Sequence, residues 1–394
     1  MKELQKQAAA IKPFLTSARR RLHSFAECEF SLPKTTEYVK NALLSMGYEP
    51  SDLGKSGIVC ELSAGETSAP AILLRADMDA LPIREETALP FRAENGCMHA
   101  CGHDMHTAML LGAAYILKTY KSTLKAPVRF LFQPAEEILA GAEDMKRAGV
   151  LTGVMAAFML HAVTAVPFKT GTLLLPPSGS SAPAACFFKL EIRGKSAHVG
   201  EREKGVDALE CAVALFSEMQ SERAKLGEDV MLSVGKWQAG DAANIVPAKA
   251  TLLGSVRSMT PEKLGRFKAW LEARCATFTG DTSARVTWTG SCPPLKSDPR
   301  LLTLLEDALL QGGFQAKKMP HGKGSASEDF AVLANEVPAV ALAIAAGESG
   351  RGYEYPLHHP RVLFDEDALP VGAAVYALSA IETGLQTFTN QGGA

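Results

Sequence analysis

Val154-Met155-Ala156-Ala157-Phe158-Met159-Leu160, followed at once by His161, is the stretch on which the fold turns. It lies inside Ala148–Phe168, 21 residues without an Asp, Glu, Lys or Arg, which by length alone could span a bilayer. Gly149, Thr152, Gly153, His161, Thr164 and Pro167 interrupt that run. It therefore reads as a helix end, a turn and a strand over 154–160 that is buried on both faces.

Working outward, three further apolar runs have strand length: Ala71–Leu74, Val128–Phe132 and Val337–Ala345. Stretches of helical period alternate with them at 35–46, 103–121, 136–148 and 300–311. Unbroken hydrophobicity marks strands covered on both faces, so the expected class is α/β, a mostly parallel sheet covered by helices. The middle of the chain changes pattern. Phe187–Ile192 alternates, a helix is expected over 206–223, strands over 231–237 and 250–256, a second helix up to Phe278, and a strand over 284–288. That β-α-β-β-α-β order is ferredoxin-like α+β and reads as an inserted domain. The Pro- and Ser-rich run 175–183 enters it and Ser291-Cys292-Pro293-Pro294 leaves it, both suited to act as hinges. The expected division is one domain made of 1–183 and 295–394, interrupted by an inserted domain over 184–294.

The 394 residues exceed what one core usually organises, which agrees with two domains. Hydrophobic residues at 47% and charged residues at 21% suit a soluble globular chain. With 41 basic and 43 acidic residues there is no positive field to attract nucleic acid or anionic lipid, so a small-molecule partner is expected and neither a nucleic acid nor a membrane. Eight dispersed cysteines without framework spacing, and no signal-peptide core near the N-terminus, point to the cytoplasm.

The chemistry concentrates in Met98-His99-Ala100-Cys101-Gly102-His103-Asp104-Met105-His106-Thr107. Gly102 allows a tight turn that turns Cys101 and His103 toward one point, and thiolate with imidazole is a zinc-type donor set, which manganese, cobalt or nickel also accept. A lone Cys-x-His would be read as core packing. Here Glu136-Glu137 and His161 each follow a strand, and the carboxyl ends of parallel strands are where such sheets bind ligands. Two adjacent carboxylates suit a division of labour, one coordinating and one free to accept a proton from water. Asp77 and Asp79 could orient imidazoles or cap a turn.

Together these runs resemble the metal-dependent aminoacylase, hippurate hydrolase and indole-acetyl-amino-acid hydrolase family, a branch of the dinuclear-metal aminopeptidase and carboxypeptidase clan. The resemblance is carried, in order, by Arg75-Ala76-Asp77-Met78-Asp79-Ala80-Leu81-Pro82, His99-Ala100-Cys101-Gly102-His103-Asp104, Phe132-Gln133-Pro134-Ala135-Glu136-Glu137, Gly194-Lys195-x-x-His198, Asn244-Ile245-Val246-Pro247, Ser327-Glu328-Asp329-Phe330 and Leu357-His358-x-Pro360. It implies two divalent metal ions per subunit held by Cys101, His103, Glu137, His161 and His358, with the Cys101 thiolate bridging and Glu136 as general base. His358 takes the family position two before the proline, with His359 as the alternative. His99 and His106 match no ligand position and are left as supporting groups. The resemblance further implies a homodimer in which His198 enters the partner's site to support the oxyanion, with Asn244 and Arg257 holding an N-acyl amino acid substrate. The implied reaction cleaves the amide to a carboxylate and a free amino acid; a dipeptidase or carboxypeptidase of the same clan is the alternative, and a binding protein that has lost catalysis is the reading outside enzymes. The chain departs from the family at Val199-Gly200-Glu201-Arg202-Glu203 and at Arg361-Val362-Leu363-Phe364, which bears on substrate preference.

Overall fold

A computed structural model describes residues 2–65, 69–320 and 326–385. They divide into two compact units, one running to Ser181 and resuming at Lys296 and again at Asp329, the other covering Ala182–Leu295 together with the stretch that ends at Glu328.

The first unit is built on an eight-stranded sheet. Its strands lie in the order Ser51–Leu53, Gly57–Leu62, Val128–Gln133, Ala71–Asp77, Val154–Val163, Ala339–Ala345, Leu173–Leu175 and Ala316–Lys318. The four central strands, from Val128–Gln133 to Ala339–Ala345, run parallel, with Leu74 level with Phe130 on one side and Phe158 on the other, and Leu160 level with Leu342. Ala71–Asp77 is buried at every position, which is why its sequence shows no alternation. Because these strands share a direction, the residues at their carboxyl ends gather along one edge of the sheet.

Helix His103–Thr119 is buried along nearly its whole length, and so is Ala368–Leu385. The latter is the one helix among the described residues long and apolar enough to cross a membrane, and 67% of it is buried inside this unit. A helix apolar all round belongs in a core when protein surrounds it. The sequence reading did not single it out.

Two expectations change on folding. The helix anticipated over 136–148 begins only at Gly141, because Ala135 and Leu139 take left-handed φ values of 57° and 52° and turn the intervening residues into a tight loop. The cysteines were expected to stay reduced; Cys28 and Cys97, 69 residues apart, form a disulfide, while the other six are not disulfide-bonded. The partners meet because an isolated bridge pairs Cys28 with Ala80 and another pairs Leu81 with Met98, bringing two loops together that no sequence spacing advertises.

The second unit is a four-stranded antiparallel sheet in the order Ser283–Cys292, Ala184–Arg193, Lys249–Ser258, Met231–Ala239. Helices Ala208–Leu226 and Pro261–Cys275 pack on it, and Phe188, Leu190, Ile192, Leu215, Met219, Leu252, Phe267 and Leu271 form its core. Read along the chain, the elements follow the ferredoxin-like β-α-β-β-α-β order.

Candidate metal centre and active site

Cys101, His103, Glu137, His161 and His358 reach one region at the carboxyl edge of the large sheet, each by a different local device. Gly102 sits at φ 84° at the start of helix His103–Thr119, so the chain turns sharply between Cys101 and His103. His161 lies within strand Val154–Val163, two positions before its end. Glu136 and Glu137 occupy the turn after Val128–Gln133, where the Asp79 carboxylate accepts the backbone N–H of Glu136 at 3.0 Å and of Glu137 at 3.2 Å. His358 is left-handed at φ 67°, its N–H donating to the Ala100 carbonyl at 2.9 Å.

The five donors form two overlapping triples. Cys101, His103 and His161 each offer an atom within 4.8 Å of the others, and so do Cys101, Glu137 and His358. Cys101 Sγ belongs to both and lies 3.5 Å from His161 Nε2. Glu137 Oε1 is 3.8 Å from His103 Nε2 and 3.6 Å from His358 Nε2. Glu136 flanks the cluster, its Oε2 4.0 Å from His103 Nε2. His359 instead stacks on Tyr355 at 4.2 Å between ring centroids.

The electrostatics call for cations. Both ring nitrogens of His103 and Glu137 Oε1 are buried without a hydrogen-bond partner among the described residues. Asp79 Oδ1, 3.5 Å from His103 Nδ1, acts as an electrostatic neighbour at that distance. A buried polar atom left unpaired costs about 1–3 kcal/mol, so three in one cluster point to a missing ligand. Burial pushes Glu137 up to about 7, and the carboxylates of Asp79 and Asp77 add to the rise against the pull of His103. Burial opposes the charge on His103, but Asp77, Asp79 and Glu137 overcome it and raise the imidazole to about 10. A thiolate, three imidazoles and a carboxylate fit divalent first-row cations well, so the donor set passes this test.

Around the donors lies a shell of support that spacing alone did not reveal. His106 Nδ1 is 2.6 Å from Asp77 Oδ1, and its Nε2 accepts the backbone N–H of Ala162 at 2.7 Å, so the ring is locked 4.6 Å from that of His161. Burial works against the charge on Asp77, yet His103, His106 and Arg75 hold its carboxyl well below the usual range. His99 is buried, and burial pushes its imidazole down to about 3. The Asp-x-Asp spacing of Asp77 and Asp79 was one signal for this shell, and His106, in the donor-rich run, was expected to be a supporting group; what the sequence did not show is its partners.

In the second unit, His198 starts the turn Val199–Lys204, its Nδ1 accepting the N–H of Gly200 at 3.1 Å, and pairs by its backbone with Ile245. The Val199 N–H donates to the Asn244 carbonyl at 3.2 Å, so His198 and Asn244 share one exposed loop pair. Arg257 lies near the other end of strand Lys249–Ser258 and is half-buried.

The family model for peptidase family M20/M25/M40 matches residues 73–382. An N-acetyl-L-cysteine deacetylase of Bacillus subtilis (strain 168) is 36% identical over 370 residues, covering 90% of this chain and 84% of the relative. An N-acyl-L-amino acid amidohydrolase of Geobacillus stearothermophilus is 34% identical over 276 residues, covering 68% and 74%. Among solved structures, the Bacillus subtilis YXEP protein, a dinuclear metal binding peptidase from the M20 family, superposes with a TM-score of 0.72 at 31% identity, covering 95% of this chain and 98% of that one.

Proposed function

The chain belongs to peptidase family M20/M25/M40, and from that premise we infer that it is a metal-dependent amidohydrolase that cleaves the amide of N-acyl amino acids to a carboxylate and a free amino acid. The observation that carries this reading is the pair of donor triples sharing one thiolate, with a separate carboxylate, Glu136, beside them. A site built only to bind metal has no use for that extra carboxylate.

We propose Cys101, His103 and His161 as ligands of one cation and Cys101, Glu137 and His358 of the other, with zinc as the native metal and manganese, cobalt or nickel accepted by the same donors. Bound divalent cations supply Lewis acidity, polarising the amide carbonyl and lowering the pKa of water from about 15.7 toward about 7. Glu136 takes the proton from the attacking water and delivers it to the leaving nitrogen. Asp79 keeps Glu136 and Glu137 in register by gripping both backbone N–H groups. Asn244 and Arg257 hold the substrate, the guanidinium suiting its free carboxylate. The protein acts as a homodimer, His198 of each subunit serving the partner's site by supporting the developing oxyanion. Cytoplasmic location is proposed because six of the eight cysteines stay outside any disulfide, the Cys28–Cys97 bridge being the exception.

Elemental analysis of the purified protein, with a screen of N-acetyl and N-benzoyl amino acids against dipeptides, tests the reading. Turnover of the acylated amino acids is expected; turnover of dipeptides alone would reassign the chain as a dipeptidase or carboxypeptidase. Glu136→Gln is expected to abolish turnover with metal content nearly unchanged, and full residual activity would remove Glu136 from its role.

A further inference from the structure

Asp329 is fully buried, and its carboxylate accepts hydrogen bonds from Arg75, Gln133 and Ala142. Arg75 Nη2 donates to Oδ1 at 2.8 Å, Gln133 Nε2 to Oδ1 and Oδ2 at 2.8 and 3.0 Å, and the Ala142 N–H to Oδ2 at 2.8 Å. Arg75 does not need this second carboxylate, because its Nη1 already donates to Asp77 at 2.8 Å. Asp77 also has His103 and His106 beside it, so Arg75 is shared between the two carboxylates and its bond to Asp329 is available to hold that residue in place.

What the bonds to the Asp329 carboxylate hold is the Asp329 backbone. Gln133 and Ala142 bracket the turn that carries Glu136 and Glu137, so the carboxylate ties the loop at 329 to that turn. The Asp329 N–H then faces Glu136 Oε1 at 3.4 Å. Glu136 is thus held twice, by Asp79 at its backbone and by Asp329 at its carboxylate. The bond to Oε1 leaves Oε2, the oxygen 4.0 Å from His103 Nε2, directed at the donor cluster.

We propose that Asp329 is a positioning residue that selects which oxygen of Glu136 works as the base: its carboxylate fixes its own N–H against Oε1 and so presents Oε2 to the proton in transit. The inference rests on Glu136 being the general base. Its chemical signature is selective. Substrate binding and metal loading do not pass through this N–H, whereas proton transfer does.

The test is Asp329→Asn in the full-length, metal-loaded enzyme, with kcat, KM and metal content measured side by side. The amide brings N–H donors to face the Gln133 and Ala142 donors, so the loop shifts. A misplaced catalytic group can cost about 100-fold; kcat is expected to fall about 10- to 100-fold with KM within about twofold and metal content unchanged. A folded D329N enzyme with kcat within about threefold of the parent overturns the proposal, and so does a loss that falls on KM or metal content. Should D329N not fold, Gln133→Met decides, since it removes the Gln133 bonds to the Asp329 carboxylate and keeps those from Arg75 and Ala142. It is expected to fold with kcat down at least about threefold and with KM and metal content unchanged; a smaller loss, a loss that falls on KM or metal content, or a chain that does not fold overturns the proposal. Glu136→Gln run in parallel separates the two levels: activity in E136Q removes the base itself, while a dead E136Q beside an unimpaired D329N removes only the role of Asp329.

Discussion

Arg19 Nε donates to Asp104 Oδ2 at 2.8 Å, and the two side chains are 2% and 0% exposed. The pair joins helix Lys12–Phe25 to the first turn of helix His103–Thr119, next to His103. Arg19 also reaches Glu366 Oε1 at 3.1 Å, so the N-terminal helix is tied by charge to both the donor loop and the C-terminal part of the chain.

Removing one partner of a buried ion pair costs about 3–5 kcal/mol, even though His23 still faces Asp104 here. Arg19→Met is therefore expected to lower the unfolding free energy by about that amount in urea melts of metal-free protein. A loss under about 1 kcal/mol would show the pair to be dispensable.

His23 lies in the same network, its Nδ1 2.8 Å from Asp104 Oδ2 and its Nε2 3.1 Å from Glu85 Oε2. Burial opposes its charge, but the hydrogen bonds it donates to Asp104 and Glu85 raise its pKa above the ordinary 6.5. Burial likewise opposes the charges on Glu85 and Asp104; His23 lowers Glu85, and Arg19 with His23 lowers Asp104. For His23 the folded pKa lies above the unfolded one, so its stabilisation is complete below about 6.5 and is lost as pH rises through the folded value. For the two carboxylates the folded pKa lies below the unfolded one, so theirs is present above about 4.5 and is lost in acid. The stability difference between parent and His23→Gln is expected to be largest between about pH 4.5 and 6.5 and to shrink above it. Thermal melts of metal-free protein across pH measure it, and a difference that grows toward alkaline pH would contradict the assignment.

Because Cys101 Sγ belongs to both donor triples, Cys101→Ser is expected to lose both cations, whereas His358→Ala loses chiefly one. Metal per subunit after exhaustive dialysis, read by elemental analysis, distinguishes the two patterns. Equal losses in both variants would argue against a shared sulfur.

A Cβ built on Gly141 would collide with the Pro134 carbonyl oxygen and crowd the Gln133 amide. Gly141→Ala must therefore open the turn that bears Glu136 and Glu137. Activity is expected to fall at least about tenfold, since small misplacements of catalytic groups carry penalties of that order, and the thermal midpoint should drop. Wild-type turnover would show that the turn can relax without consequence.

The central strands were legible because burial on both faces writes itself as unbroken apolar sequence, as in Ala71–Asp77 and Val154–Val163. The second unit was legible because its strands alternate and its helices fall between them in a single order. The loop at 135–140 was not. Glu136 to Ala148 has helical composition, and the acceptors that stabilise the left-handed turn instead include the Asp79 carboxylate, 57 residues away in sequence from Glu136. The Cys28–Cys97 bridge, the Arg19–Asp104 pair and the contact between Asp329 and Glu136 share that character: each joins segments whose proximity depends on strand order rather than on local pattern.

The amino-acid sequence by itself determined the layer architecture, the α+β insertion and the inventory of donors, because periodicity and residue chemistry are local properties of a chain. The tertiary structure alone decided that Cys101 stands in both triples, that Asp79 and Asp329 grip Glu136 from two sides, and that His106 serves as a strut. Those relations depend on distances of a few ångströms between residues tens to hundreds of positions apart, and parallel strand pairing, which brings distant carboxyl ends to one edge, sets such distances only once the sheet has formed.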